Sequence, residues 1–538
     1  MTAQDNGFEF ELSRRRLLAA AGLAGVAGAL AETGAADAGP ADAAGGPADP
    51  AATPPVAGLH LQFGADASSE MVVSWHTPQP VSHPRVLLGR MDGSLEQTVD
   101  ARTRSYTDAK SGKTVYAHHA AAGRLRADAA YLYGALHDGA TPAFATFRTA
   151  PRGRAAFTFT SFGDQGTPTL GREYVPPAGE ASTGAGTGPV FINDNLGSPA
   201  AADTTLGVER LQPLFHLFNG DLCYANLAHD RVRAWRDFWD NNSRSASKRP
   251  WMPSPGNHEN ELGNGPIGYQ AYQTYFQLPE AAGQTETTRG LWYAFTVGSV
   301  RVVSIANDDV VYQDSGDSYV RGYSAGAQKA WLEAELSAAR GDPAIDWIVV
   351  CMHQVAVSTA DRFNGADLGV REEWVPLFDQ YGVDLVVCGH EHHYERTHPI
   401  RGHEENATRT PIPAATATDV IDTRQGTVHM VIGGGGTSRP SNAMFFDPPQ
   451  CRVITAVGAP DPKTGRRPPV YVREHAPWSA VRNAAHAYGF AAFAVDPGTG
   501  PGDFTTIKVT YYDVVGSEGQ LAPFETFTLR RPRRDRAV

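Results

Sequence analysis

From residue 54 to about 150, apolar and polar residues alternate in short segments, MVVSW, RVLLG, TVYAHH, YLYGAL and AFATFRT, each closed by Gly, Pro, Asp or Ser. A period of two without any helical period predicts strands paired in a β-sandwich. Past residue 151 the texture changes to AAFTFTSFGDQG, LQPLFHLFNGDLCY, AIDWIVVCMHQ and VDLVVCGHEHH, near-continuous apolar runs that stop abruptly at polar residues. Runs of that kind are expected of strands covered on both faces by helices. Between them SAGAQKAWLEAELSAAR places Ala327, Ala330, Trp331, Ala334 and Ala338 on one helical face. The pattern therefore predicts a layered α/β domain over residues 151–538, with its polar clusters just beyond strand ends, where open α/β sheets place their sites. Residues 167–213, 402–425 and 439–470, rich in Gly, Pro, Ala and Thr, fit no element and are expected as surface loops or lids. No internal repeat is visible, so a solenoid or propeller is not supported.

The N-terminus changes the picture. In SRRRLLAAAGLAGVAGALA, Arg14 and Arg15 precede an Ala/Gly/Leu run from Leu17 to Ala31. The run falls short of the ~20 residues that span a bilayer, and small-residue cleavage sites follow it. Residues 1–38 resemble a twin-arginine signal peptide, which implies an exported protein, secreted or associated with the cell envelope, with no stable membrane span after the signal is removed. The alternative is an uncleaved anchor. Residues 39–53, almost all Ala, Gly, Pro, Asp and Thr, read as disordered linker.

Composition adds bounds rather than identity. A chain of 538 residues with 41% hydrophobic and 19% charged residues can bury a large core and is long enough for several domains. The net charge of −12, with Lys and Arg dispersed, lacks the basic footprint of a nucleic-acid binder. Cys223, Cys351, Cys388 and Cys451 read as small buried hydrophobes rather than a disulfide framework.

Five polar clusters carry the candidate chemistry. GDQG holds Asp164, GDLCY holds Asp221 and Tyr224, GNHE holds Asn257 and His258, VCMH holds His353, and GHEHHYER holds His390 and His392. Singly each is weak; together, with His258 set aside, they bring three imidazoles, two carboxylates, a carboxamide and a phenol. Imidazole mixed with carboxylate suits first-row transition metals rather than calcium or magnesium. Seven donors exceed one tetrahedral zinc site but suit two metals about 3.5 to 4 Å apart, a pair that lowers the pKa of bound water and clamps an in-line displacement at phosphorus.

This order of motifs resembles the metallophosphoesterase superfamily, and within it the purple acid phosphatases, whose series runs DxG, GDxxY, GNHD or GNHE, VxxH, GHxH. The likeness extends from the sandwich, where Leu125 and Tyr131 match a tyrosine corner of the fibronectin type III kind, through LWYAFTVGSVRVVSI to the YGF of Tyr488 to Phe490. It implies an α/β/β/α metallophosphoesterase sandwich preceded by an all-β, fibronectin III or immunoglobulin-like domain at 54–150. It also implies a dinuclear centre. Asp164, Tyr224 and His392 would hold Fe(III), Asn257, His353 and His390 would hold a divalent Fe, Zn or Mn, and Asp221 would bridge. Gly166 in place of the usual His of DxH, with Tyr224 gained, favours a trivalent metal, because a phenol with a reference pKa of about 10 ionises only against a strong Lewis acid.

The resemblance also assigns roles around the metals. A metal-bound hydroxide would attack a phosphate monoester, and His258 would sit on the leaving-group side. If GHEHH stays extended, His390 and His392 face the metals and His393 points away. Tyr394, Glu395 and Arg396 would support the site from behind. One departure stands out: the second histidine that plant members carry beyond VxxH is missing, with Arg362, Asn364 or Asp367 as candidates for its space. The partners implied are small phosphorylated substrates. Two alternatives are the same metal site acting on diesters or nucleotides, and a surface binding protein whose phosphoesterase domain is inert.

Overall fold

The computed structural model of the chain describes residues 53–91, 94–169, 172–174, 190–192, 195–314 and 318–535. The expected signal segment and most of the linker lie outside the described residues. Seven strands, from Ala57–Phe63 to Ala143–Arg148, form the N-terminal all-β unit. Its long strand Gln97–Thr107 changes partner midway: residues 97–100 pair with residues 85–88, and residues 101–107 with residues 114–120. One strand thereby serves two sheets, whose inward residues Val73, Trp75, Val86, Leu88 and Tyr133 join one buried cluster. Tyr131 accepts the backbone N–H of Arg126 at 2.8 Å, the hydrogen bond of a tyrosine corner.

Strand Met71–Thr77 departs from alternation, being buried at every position. Its second face is covered by the α/β unit. His60 stacks on Trp239 at 3.7 Å, the ring of His76 meets Tyr275 edge-on at 5.5 Å, and His119 Nε2 lies 3.0 Å from the carbonyl of Thr274. Neither ring nitrogen of His76 has a hydrogen-bond partner among the described residues. Burial, reinforced by the charges of His60, His118 and Arg236, pushes His76 down to about 3. The unfolded chain, with an ordinary histidine pKa, therefore binds the extra proton between about pH 6.5 and 3, and this group's contribution to stability falls as pH falls through that window. By pH 4.5 the loss is on the order of 2 to 3 kcal/mol. Denaturant unfolding at pH 7 and 4.5 should show it, and His76→Phe should lose clearly less between the two.

Two seven-stranded sheets build the α/β unit. The first runs, in spatial order, Trp251–Ser254, Phe215–Asn219, Phe157–Phe162, Gly489–Asp496, Phe504–Val515, Gln520–Pro532 and Val420–Asp422. The second runs Tyr293–Val297, Val300–Ser304, Trp347–Cys351, Leu385–Cys388, Val428–Ile432, Tyr394–Thr397 and Ser479–Arg482. Phe159, Leu217 and Phe493 of the first share a core with Phe295, Val349 and Met430 of the second. On the other face of the second sheet, Val303, Ile348 and Val386 pack with Leu332, Leu336 and Phe378 from helices Ala327–Gly341 and Val375–Tyr381. Helices Ala200–Leu211 and Arg231–Ala246 lie on the first sheet, Phe238 meeting Phe218 edge-on at 5.9 Å. The layers are α/β/β/α, as expected. Strands Phe157–Phe162, Phe215–Asn219 and Trp251–Ser254 are parallel, as are Val300–Ser304, Trp347–Cys351 and Leu385–Cys388, so each group delivers its C-terminal ends to one side.

Several expectations need correction. The stretch at 439–470 is no plain loop: Gln450–Val457 and Pro469–His475 pair as an antiparallel hairpin. Within 402–425, Pro411–Pro413 pairs with Ile400–His403 and Val420–Asp422 edges the first sheet. Helix Ala200–Leu211 occupies the end of 167–213, its buried face carrying Ala201, Thr204, Thr205 and Val208, too polar to show as an apolar stripe. Helix Ala327–Gly341 buries Gln328, Leu332, Leu336 and Ala339, not the alanine face, because leucine removes more apolar surface from water than alanine does. All four cysteines are buried and free, as read.

Candidate metal centre

The cluster forms where five strands end. Asp164 follows Phe157–Phe162, Asp221 and Tyr224 follow Phe215–Asn219, Asn257 and His258 follow Trp251–Ser254, His353 follows Trp347–Cys351, and His390 follows Leu385–Cys388. Asp164, Asp221, Tyr224 and His390 all have positive φ, between +52° and +72°, so the chain turns sharply as it leaves each strand. The glycines of the motifs make room. A Cβ on Gly256 would lie 2.3 Å from Asp221 Oδ1, and one on Gly389 would lie 2.3 Å from Asp164 Oδ2.

The seven predicted donors converge on two foci. At the first, the Tyr224 hydroxyl lies 3.2 Å from Asp164 Oδ1 and 3.1 Å from His392 Nε2. At the second, His353 Nε2 lies 3.1 Å from Asn257 Oδ1, 3.1 Å from Asp221 Oδ2 and 3.2 Å from His390 Nδ1. Asp164, Tyr224 and His392 thus meet at one focus and Asn257, His353 and His390 at the other, with Asp221 beside His353. His258 stands at the edge, its ring 4.6 Å from that of Tyr224, with Nε2 3.9 Å from Asp221 Oδ2.

Each imidazole has its outward nitrogen engaged by an acceptor. His353 Nδ1 lies 2.7 Å from the carbonyl of Asn219, His390 Nε2 2.6 Å from Gln313 Oε1, His392 Nδ1 2.5 Å from the carbonyl of Arg439, and His258 Nδ1 2.8 Å from Asn226 Oδ1. An N–H spent outward leaves a lone pair pointing inward, the tautomer a metal requires. The inward atoms crowd at contact distance with few protons to share between them, a donor set that fits cations. Electrostatics agree. Burial opposes charge on His353, yet Asp221 and Asp164 push it up to about 10, so these carboxylates draw a positive charge to the spot that a metal ion would supply instead. For Tyr224, burial and the carboxylates of Asp164 and Asp221 push the phenol well above its ordinary value.

GHEHH is not extended. It bends through residues 389–393 with His390 at φ +72°, and a strand begins only at Tyr394. His390 and His392 both reach the cluster, but through opposite ring nitrogens. His393 turns away as expected, toward Ser441 Oγ at 2.8 Å and Glu395 Oε1 at 3.0 Å. Tyr394 stacks on Tyr511 at 3.8 Å and donates to Glu525. Of the candidates for the missing plant histidine, Asn364 is beside the site, donating to the carbonyl of His390 at 2.9 Å. Asp367 instead takes the N–H groups of Tyr312, Gln313 and Gly369.

Sequence reading passed over Glu259. Its buried carboxylate accepts the N–H groups of Asp221 at 2.8 Å, Leu222 at 2.8 Å and Gly256 at 2.7 Å, locking two motif turns to each other. In Glu259→Gln the amide opposes one of these N–H groups. Metal titration should show affinity about 10- to 100-fold weaker with the fold retained. The only sequence signal was its place as the last letter of GNHE. Gln313 had none.

Comparison with known proteins places this geometry. The model of the family described as Purple acid Phosphatase, N-terminal domain matches residues 56–149, and that of Calcineurin-like phosphoesterase matches residues 190–394. An uncharacterized protein of Mycobacterium tuberculosis is 60% identical over 480 residues, 89% of this chain and 88% of its own length. A phosphoenolpyruvate phosphatase of Allium cepa is 26% identical over 390 residues, 70% of this chain and 69% of its own. Among solved structures, a purple acid phosphatase from yellow lupin seeds covers 90% of this chain and 75% of its own with a TM-score of 0.61 at 19% identity, a likeness of fold. With both of its domains matched in order and its strand-end motifs drawn to one place, the chain belongs to the purple acid phosphatase family and is a phosphoesterase hydrolase.

Proposed function

We propose that the chain hydrolyses phosphate monoesters at a dinuclear centre of Fe(III) and a divalent Fe, Zn or Mn ion, after export through the twin-arginine pathway. The observation that carries the reading is the convergence of the seven donors on two foci, with an acceptor oxygen set against the outward nitrogen of His353, His390 and His392. Asp164, Tyr224 and His392 would hold the ferric ion, Asn257, His353 and His390 the divalent ion, and Asp221 would bridge. When bound, such a pair supplies a nucleophilic oxygen at mild pH and positive charge for the phosphoryl oxygens. Tyr224 supports the trivalent assignment, because a buried phenol beside two carboxylates ionises only where the neighbouring positive charge is large.

The protein's own groups do the rest. His258, its Nε2 3.9 Å from Asp221 Oδ2, is pushed down to about 4 by burial, against the pull of Asp221, so it is uncharged at neutral pH in the free protein. An arriving phosphate dianion favours a proton on its Nε2, the proton the departing oxygen needs. The ring of Phe363, 4.8 Å from that of His392, adds apolar surface beside the first focus. The name of the onion relative, a phosphoenolpyruvate phosphatase, supports a monoester.

Parallel assays of the purified chain with p-nitrophenyl phosphate and bis(p-nitrophenyl) phosphate test the reading. Preferential turnover of the monoester is expected; turnover of the diester alone would replace it with a phosphodiesterase. Neither metal nor turnover would point to a binding protein. For the iron assignment, Tyr224→Phe should abolish a visible charge-transfer band present in the wild type, measured by absorption on iron-loaded samples. A band that survives the substitution removes Tyr224 from the iron.

A further inference from the structure

Where strand Gln97–Thr107 of the all-β unit meets helix Gln270–Tyr275 of the α/β unit, the seam opens into a cavity of about 350 Å³, at the low end of the range for ligand sites. Neither the seven donors nor His258 line it. Two arginines do, one from each unit. Arg104 Nη1 donates to the carbonyls of Gln273 and Phe276 at 3.3 Å, and the carbonyl of Arg289 accepts Gln273 Nε2 at 3.0 Å, so both arginines are tied to Gln273. The loop that carries Arg289 is firmly set. Gln273 Nε2 also reaches the carbonyls of Glu286 at 3.3 Å and Thr287 at 3.0 Å, while Gln284 accepts the N–H groups of Ala281 and Gly290 and donates to the carbonyl of Trp292.

That scaffold presents charge without a counter-charge. Arg289 Nε is buried with no hydrogen-bond partner, and neither guanidinium forms an ion pair with a carboxylate among the described residues. Both side chains are half-buried, and burial and the Arg289 charge push Arg104 down to about 10, with Glu280 pulling the other way. Glu286, the only carboxylate lining the cavity among the described residues, is exposed and pairs with neither arginine. Like charges held side by side and partly out of water are unfavourable until an anion joins them.

We propose that Arg104 and Arg289 form a binding site for a phosphate-class oxyanion, separate from the metal centre. A guanidinium presents a planar fork of donors matched to phosphate oxygens. A tetrahedral oxyanion has oxygens enough to face two forks at once, whereas the two oxygens of a carboxylate are taken up by one. The Ser105 hydroxyl and the Gln270 amide line the same cavity and add neutral donors. The ligand is inorganic phosphate or the phosphate group of a small organic molecule, whose body the cavity also has room for. Because the arginines come from different units, the bound oxyanion fastens the all-β unit to the α/β unit.

Equilibrium dialysis of the full chain against radiolabelled inorganic phosphate tests the site. The metal centre is expected to take phosphate too, so the readout is the difference between wild type and Arg289→Gln, a substitution that removes no side-chain hydrogen bond among the described residues. Wild type should bind one phosphate per chain more than the variant, with turnover of p-nitrophenyl phosphate, and its inhibition by phosphate, the same in both. Arg289→Lys, which keeps the charge but not the fork, should keep the site at about tenfold lower affinity, and salt should weaken it in the wild type. Competition by phenylphosphonate, which is not hydrolysed, separates the sources: displacement at lower concentration than phosphate itself marks an organic phosphate as the ligand, and at higher concentration free phosphate. Equal phosphate uptake by wild type and Arg289→Gln, or a phosphate lost together with turnover and inhibition, overturns the site.

Discussion

Asp221→Asn is expected to lower turnover of p-nitrophenyl phosphate by at least about a thousandfold, the scale on which losing a group that organises transition-state charge is felt. The fold should survive. Asp221 Oδ1 accepts the N–H of His258 at 2.9 Å, and an asparagine oxygen can do the same. What fails is the other oxygen, 3.1 Å from His353 Nε2 and grouped with His390 as well. Although burial opposes its ionisation, His353 and His258 hold this carboxyl well below the usual range, so it brings a full negative charge to the second focus. Asparagine removes that charge and offers an amide nitrogen, which is no metal donor. Metal analysis should therefore show lost metal alongside lost turnover, with the circular dichroism spectrum unchanged. Full activity in Asp221→Asn would exclude a bridging role.

His258→Ala carries the second large effect and a different signature. The backbone N–H that reaches Asp221 stays, so metal content should hold. Hydrolysis of an alkyl phosphate, whose leaving oxygen must be protonated, should fall by about 10²- to 10⁴-fold, the range for a positioned proton donor. p-Nitrophenyl phosphate, whose phenolate leaves unaided, should fall far less. Steady-state kinetics on the two substrates decide the matter, and equal losses on both would make His258 a binding group only.

Much of this site was legible because its motifs are backbone devices as well as ligand sets. Gly256 and Gly389 stand where a Cβ would strike Asp221 and Asp164, so the sequence had to print glycine beside its donors. Long apolar runs gave the buried parallel strands for a similar reason, since strands covered on both faces tolerate few polar residues. The groups that orient these donors were hidden. His353 and His392 are fixed by the carbonyls of Asn219 and Arg439, and a carbonyl belongs to every residue alike. Gln313 comes from a distant loop, and only the fold brings it to His390.

The misread elements share a cause as well. The hairpin at Gln450–Val457 and Pro469–His475 has mostly half-buried or exposed positions and no clean alternation, so its strands looked like loop. An extended GHEHH would send His390 and His392 to one side by alternation, and the chain reaches the same outcome by another route: a left-handed turn at His390 and opposite ring nitrogens, Nδ1 of His390 and Nε2 of His392, facing the cluster.

The account stands on two cations being gathered by side chains from five strand ends, and the metal stoichiometry of the purified chain tests that most directly. Elemental analysis should find two transition-metal ions per chain, one of them iron. A fully active preparation that holds one ion, or none, would contradict it.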